Sequence, residues 1–268
     1  MDEKTYFEKV ASYKLLAKKE VGQNFLIDPE AASSIVSSLD IQKGEKVLEI
    51  GCGAGSLTYF LSLTEADVIA IDIDEAMLAK TGEDFKDCPN VSIQYGNAAK
   101  YDYTPFDKIL GNLPYYITTL ILERVLLTAA KAKTMAFMVQ KEAGERIVSK
   151  VGSKDYSPLA ILLSLCYEVR KIRSVPRSSF VPAPHVDSAV YVIKRKVGIS
   201  LDEAEGVYLL AKSLFLQRRK TLRNNLKGIL QDETKIDEIL TSLSLSSTIR
   251  PEEAKPEDYL ALYRLLHQ

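Results

Sequence analysis

The 268-residue chain predicts an α/β fold: a mainly parallel sheet with helices on both faces, followed by a small all-helical C-terminal domain. Three observations carry this expectation. Short apolar segments alternate with helical patterns from residue 46 to about residue 165. The first of those segments runs directly into a glycine-rich turn, Gly51-Cys52-Gly53-Ala54-Gly55. Beyond about residue 197 the strand pattern stops and helical periodicity alone continues. The expected domains are therefore 1–196 and 197–268.

Residues 1–20 mix charged and apolar positions, consistent with either a helix or a mobile arm. In the Gly22-Gln23-Asn24-Phe25-Leu26 stretch that follows, Gln23 and Asn24 either satisfy loop backbone or reach the polar end of a ligand. Asp28-Pro29 opens a helix with proline in its first turn, and Ile35, Val36 and Leu39 form its buried stripe. Val47, Leu48 and Ile50 make residues 46–50 apolar enough for a strand covered on both faces. Ser56 is expected to cap a helix over 57–63. Further strands are expected at 68–71, 91–95, 107–110 and 134–139, and helices at 75–85, 118–130, 141–149 and 156–165. Two late β-rich stretches, 166–175 and 187–195, are candidates for an antiparallel hairpin on the sheet edge. Helices near 202–216, 218–230, 234–243 and 256–267 complete the chain. In the second of these, Leu222, Leu226 and Ile229 form an apolar stripe, and Arg219, Arg223 and Lys227 repeat at i, i+4 on another face.

A hydrophobic content of 46% suffices for a core, and no apolar run approaches the roughly 18 residues of a membrane span. The N-terminus, Met1-Asp2-Glu3-Lys4, has no apolar secretory segment. Cys52, Cys88 and Cys166 lack C-x-x-C spacing. A cytoplasmic protein without disulfides or a metal site is expected. The net charge of −1 argues at first sight against a nucleic-acid partner, but its distribution does not. Between Arg170 and Gly228 stand 13 Lys/Arg against 4 Asp/Glu, which suggests one basic face. The competing reading is ordinary solvated surface.

In an open α/β sheet, ligands bind beyond the carboxyl ends of the strands. Four such ends here are polar or glycine-rich: Gly51–Gly55, Asp72, Gly96-Asn97-Ala98, and Gly111-Asn112-Leu113-Pro114-Tyr115-Tyr116. Glycines let a ligand approach backbone that carries no Cβ. Their spacing is G-x-G-x-G rather than the dinucleotide G-x-G-x-x-G. Asp72 follows about 20 residues after the first glycine, the distance at which a carboxylate grips a ribose diol. An adenosine-like ribose is the expected ligand. Asn112 adds an amide acceptor, Pro114 stiffens the turn and presents the preceding carbonyl, and Tyr115 adds a flat face. Together these suit a planar base with an exocyclic amine, whose stacking contributes roughly 1–3 kcal/mol. The bland reading is a turn with a packed tyrosine. The only histidines, His185 and His267, are poorly placed for a Ser/His/Asp set.

These motifs resemble the ribosomal-RNA adenine dimethyltransferases, the KsgA/Dim-type family, which share their architecture with the erythromycin-resistance (Erm) methyltransferases. The resemblance runs from Gly22 to the C-terminal helices. It rests on Gly22–Leu26, Glu49–Gly55, Asn112–Tyr115, Gln140-Lys141-Glu142, Phe180-Val181-Pro182-Ala183-Pro184 and Val186-Asp187-Ser188. It implies a Rossmann-like sheet that binds S-adenosylmethionine, gives S-adenosylhomocysteine as product, and dimethylates adenine N6 in small-subunit ribosomal RNA. Asn24 and Leu26 match positions near the cofactor's methionine part, Gly51 lies under it, and Asp72 matches the ribose acid. Gln23, Gly53, Ile73, Asn97, Ala98 and Asn112 complete the implied cofactor set. Asn112 matches the residue facing the target amine, in the turn with Leu113 and Pro114. Tyr115 and Phe180 resemble the aromatic pair around the flipped adenine. Arg218, Arg219, Lys220, Arg223 and Lys227 resemble the RNA-binding C-terminal helix. Two positions depart from the pattern: Asn97 stands where Asp is usual, and Asp72 where Glu is common. The implied partner is ribosomal RNA or a small-subunit precursor, met by a monomer. An Erm-type enzyme acting on large-subunit RNA and a non-catalytic assembly or transcription factor are the alternatives. A dehydrogenase does not fit, because the third glycine comes one residue early.

Overall fold

A computed structural model describes residues 1–17 and 23–267; Gly22 of the first motif lies outside the described residues. The elements, in chain order, begin with α1 (Glu3–Ser12), β1 (Phe25–Leu26), α2 (Pro29–Ser37), β2 (Lys46–Ile50), α3 (Ser56–Ser62), β3 (Asp67–Asp72), α4 (Glu75–Asp84) and β4 (Val91–Tyr95). They continue with β5 (Lys108–Asn112), α5 (Thr118–Thr128), β6 (Thr134–Gln140), α6 (Lys141–Ile147), α7 (Pro158–Cys166), β7 (Tyr167–Val175), β8 (Phe180–Val181) and β9 (Ser188–Arg195). The last four are helices α8 (Leu201–Phe215), α9 (Leu222–Leu226), α10 (Glu233–Ser242) and α11 (Pro256–Leu266).

The chain separates into two compact units, Met1–Gly144 with Val169–Lys194, and Glu145–Glu168 with Arg195–Gln268. The last of the three crossings, between Lys194 and Arg195, lies two residues before the expected boundary at 196/197. Residues 145–168, placed by the sequence in the first domain, belong instead to the second unit. The cause is apolar: Tyr156, Ala160 and Ile161 join one buried cluster with Val207, Leu214, Ile236 and Leu262.

The first unit is built on a sheet of order β4-β3-β2-β5-β6-β9-β7. Strands β2, β3, β4, β5 and β6 pair in parallel, and β9 runs antiparallel to β6, with Ser188 opposite Gln140. The two late strands are neighbours at the edge, as expected. Val47, Leu48, Ile109, Leu110 and Met135–Val139 are buried, so the central strands are covered on both faces. The chain passes from β2 to β3 on one side and returns with β5 on the other. That reversal opens a crevice at the carboxyl ends of β2 and β5.

The N-terminal segment forms a helix, and its Tyr6, Phe7 and Val10 enter the core. Asp28 caps α2 by accepting from Ala31 N at 2.9 Å, as its sequence predicts. At α3 the structure differs. Gly55, at φ +81°, is the N-cap, and Ser56 Oγ donates to the Leu26 carbonyl at 2.6 Å instead of capping.

The second unit differs most from expectation at residues 218–230. The helix there is only α9, because Thr221 starts it afresh by accepting from Asn224 N at 3.2 Å. The preceding residues form a turn closed by Lys220 N to Gln217 O at 2.8 Å. Arg219 therefore precedes the helix and Lys227 is its C-cap, so the expected single face of Arg219, Arg223 and Lys227 does not exist.

Candidate active site

At the switch point lies a cavity of about 300 Å³, lined entirely from the first unit. Its floor is the glycine turn after β2. Three side chains hold that turn from behind: Tyr6 OH donates to Ala54 O at 2.9 Å, Thr81 Oγ1 to Gly53 O at 2.6 Å, and Asp72 Oδ2 accepts from Gly53 N at 2.9 Å. Gly51 sits at φ +73°, a backbone conformation that side chains rarely adopt. A Cβ on Gly55 would fall 2.4 Å from the Tyr6 hydroxyl, so this turn accepts only glycine there.

Asp72 ends β3 and splits its carboxylate: Oδ1 accepts from Asp74 N, also at 2.9 Å. Each oxygen keeps a second lone pair for a ligand hydroxyl. Burial raises the Asp72 pKa, and the hydrogen bonds from the Asp74 and Gly53 amides counter it. Asp74 caps α4 through Ala76 N and also accepts from Gln23 Nε2 at 2.9 Å, which ties the β1 approach to the ribose end. Asn97 Oδ1 accepts from Ala99 N at 3.0 Å, and Tyr103 OH donates to Ala98 O at 2.6 Å, so the turn after β4 is rigid on its own. An oxygen with two lone pairs lets Asn97 still accept from an amine.

The opposite wall is the turn after β5. Asn112 Nδ2 donates to Asn24 O at 3.3 Å, whereas its Oδ1 is buried without a hydrogen-bond partner. Buried polar atoms are seldom left unpaired, so this acceptor is placed for a ligand donor. Leu113 N donates to Met138 O, and no hydrogen bond among the described residues reaches the Leu113 carbonyl. Thr118 Oγ1 donates to Pro114 O at 2.9 Å and holds the turn against α5.

Every residue expected to hold the cofactor lines this cavity: Gln23, Asn24, Leu26, Gly51, Gly53, Asp72, Ile73, Asn97, Ala98 and Asn112. Leu113, Pro114 and Tyr115 line it too. Phe180 does not. It pairs with Leu26 in the β1–β8 ladder and is 3% exposed, packed into the core behind the wall. Tyr116, the last residue of the expected strand-end motif, also lines the cavity, 57% exposed at its rim, and Ile117, just beyond that motif, lines it too. The sequence assigns the flat face to Tyr115, and Tyr115 is the more covered of the two rings. Among the described residues no cluster of His, Cys, Asp or Glu is placed to hold a metal. No helix among them is long and apolar enough to cross a membrane.

Glu49, which belongs to the Glu49–Gly55 motif without an expected role of its own, lies in the cavity wall at 1% exposure. Burial pushes its carboxyl up to about 8; the hydrogen bond from Thr58 Oγ1 at 2.6 Å opposes this, and the Asp72 charge adds to it. Unfolding therefore releases this proton between the ordinary carboxylate range and pH 8. Stability should fall by about 1.4 kcal/mol per pH unit from this group inside that window, and level off above it. Glu49→Gln should flatten the decline in denaturant melts between pH 5.5 and 8. An identical slope in the variant would show that Glu49 is ionised when folded.

The expected RNA cations are only partly available. Arg223 pairs with Asp237 at 2.6 Å and Glu233 at 3.0 Å, and Lys227 with Glu233 at 2.8 Å. Arg218 donates to the Lys154 and Ser153 carbonyls at 2.7 and 3.0 Å, with Glu252 at 3.5 Å. These three charges brace the second unit. Arg219 and Lys220 are exposed and form no ion pair with described residues.

A mainly parallel sheet with its cavity at the switch point, a glycine turn beneath it, a ribose-type acid and an unpaired amide acceptor define a nucleoside-cofactor group-transfer domain. The sequence matches the model of the family described as ribosomal RNA adenine dimethylase over residues 14–268. A ribosomal RNA small subunit methyltransferase A from Lactobacillus johnsonii is 36% identical, covering 96% of this chain and 93% of the relative. The protein of the same name from Thermotoga neapolitana is 37% identical over 94% of this chain and 93% of its own. The crystal structure of a dimethyladenosine transferase from Plasmodium falciparum superposes with a TM-score of 0.77 at 28% identity, covering 88% of this chain and 95% of that one. The chain belongs to the ribosomal RNA adenine dimethylase family.

Proposed function

We propose that the protein transfers methyl groups from S-adenosylmethionine to N6 of adenine in small-subunit ribosomal RNA, giving the dimethyl product. The observation that carries this is the buried, unpaired Asn112 Oδ1 in the same cavity as the glycine turn and Asp72. The donor set fits the cofactor: Asp72 offers lone pairs for a ribose diol, and the backbone at Gly51 and Gly53 leaves room for close approach. When bound, S-adenosylmethionine supplies a methyl group already activated as a sulfonium. In the first transfer Asn112 Oδ1 and the Leu113 carbonyl accept the two amine hydrogens, which draws the nitrogen lone pair out of the ring and aims it. The leaving group is S-adenosylhomocysteine, and the proton displaced from the methylated nitrogen passes to solvent. In the second transfer the single remaining hydrogen keeps one of the two acceptors. Tyr115 supplies the stacking face. Holding the reactants is the main catalytic contribution, and no acid–base set is required. The base must leave its stack at a cost of a few kcal/mol, which favours RNA loops and helix ends.

In the second unit, Arg219 and Lys220 remain to meet phosphates. A cytoplasmic monomer acting on a small-subunit precursor fits this reading. Incubation with unmodified small-subunit particles and labelled S-adenosylmethionine should yield N6,N6-dimethyladenine by mass spectrometry. The Arg219→Ala/Lys220→Ala variant should bind RNA with a log–log salt slope lower by roughly one to two. Methylation of large-subunit RNA alone would move the assignment to the Erm branch, and no methylation would leave a non-catalytic factor.

A further inference from the structure

The Val186-Asp187-Ser188 motif has no part in the reaction as described, yet the structure makes it a junction. Ser188 is the first residue of β9 and is 1% exposed. Its Oγ lies 3.2 Å from the Tyr115 hydroxyl, across 73 residues of sequence. The neighbouring Asp187 accepts twice, its backbone oxygen from Lys141 N and its Oδ1 from Arg177 N, both at 3.0 Å. The start of β9 is thereby tied to the end of β6 and to the segment before β8. Its position is set by the sheet, not by the loop that carries Tyr115.

Tyr115 itself sits on that loop, between β5 and α5. The loop backbone is held at Leu113 and at Pro114, on the near side of the residue. The ring projects from there with two free torsions, and its far end meets Ser188. Burial raises the Tyr115 pKa and the bond to Ser188 counters it, so the hydroxyl is a neutral, largely dehydrated group. From this geometry we infer that Ser188 is a positioning residue: it holds the far end of the Tyr115 ring, and so the tilt at which that ring extends over the target base, for both methyl transfers.

This rests on the proposed adenine methylation. The second transfer is the more demanding one. After the first, the amine carries a methyl group and must present its lone pair in the same line with less freedom to turn. A ring that tilts lets the bulkier base settle off that line. Misplacement by about 1 Å is enough to cost rate severely. Loss of the anchor should therefore act on the second transfer more than on the first, and leave cofactor binding alone.

The test is a double-mutant cycle on Ser188→Ala and Tyr115→Phe, each of which removes the same hydrogen bond. With small-subunit particles as substrate, each single variant should lose about ten-fold in turnover and accumulate N6-monomethyladenine. Affinity for S-adenosylmethionine by calorimetry should stay within about two-fold, and the double variant should be no worse than either single one. Losses that multiply, or a mono-to-dimethyl ratio equal to wild type, would overturn the inference. So would a loss that follows a lowered melting temperature and vanishes on cooling. Should Ser188→Ala not fold, Tyr115→Phe alone must still raise the monomethyl product. A wild-type protein that methylates no adenine refutes the functional reading itself, whereas an active wild type with unaffected single variants refutes only the role of Ser188.

Discussion

Asn112→Ala is expected to lose about 100- to 1,000-fold in turnover while retaining S-adenosylmethionine affinity within several-fold. The amide oxygen is buried and unpaired in the protein alone, and its orientation is set by the Nδ2 bond to Asn24 O. An acceptor held in this way contributes when the amine hydrogens arrive, not before, so its removal raises the barrier rather than weakening the cofactor. The several-fold allowance reflects Asn24, which lines the cavity and loses one tether. Asn112→Asp should not rescue. It keeps an acceptor but replaces the donor to Asn24 O with a second acceptor, so two oxygens would face each other. Single-turnover methylation with calorimetry on the same preparations separates the two effects. A variant that methylates at near wild-type rate would reduce the turn to a structural feature.

The site was legible in the sequence to the extent that backbone logic governs it. Gly51–Gly55, Asp72, Asn97 and Asn112 all stand at the ends of parallel strands, where topology alone brings them together. Motifs mark such positions because the residue types are dictated by local geometry. What escaped depends on partners remote in sequence. Phe180 was expected across the base from Tyr115, but the two-stranded pairing of β8 with β1 turns it into the core. Ser188 falls inside the expected strand 187–195 and ends the Val186-Asp187-Ser188 motif, and only the fold brings it to Tyr115. The basic stretch shows the same limit. Counting charge cannot reveal that Arg223 and Lys227 face Glu233 and Asp237, or that Thr221 restarts the helix between the arginines. The fold of the second unit was likewise clear as helices but not as to membership, since α7 reads as one more helix of the alternating series.

Asp72→Ala should weaken S-adenosylmethionine binding by about 1.5–3 kcal/mol, roughly 10- to 150-fold. Two losses combine. The ribose hydroxyls lose charged acceptors, and the amides of Gly53 and Asp74 lose the partners that hold the glycine turn to the start of α4. The second loss should also lower the melting temperature of the ligand-free protein, so affinity and stability must be measured on the same variant. Asp72→Asn tells the two apart less than its similar size suggests. Its single oxygen can satisfy one amide, while its NH₂ group would confront the other, so it should fall close to Ala. Because burial raises the Asp72 pKa, acidification should weaken cofactor binding at a higher pH than an ordinary aspartate would require. Protonation puts a hydrogen on one of the oxygens that the diol and the amides share. Calorimetric titration of wild type and both variants across the acid range checks the magnitude and the pH dependence together. Unchanged affinity in a folded Asp72→Ala protein would remove this carboxylate from the cofactor site.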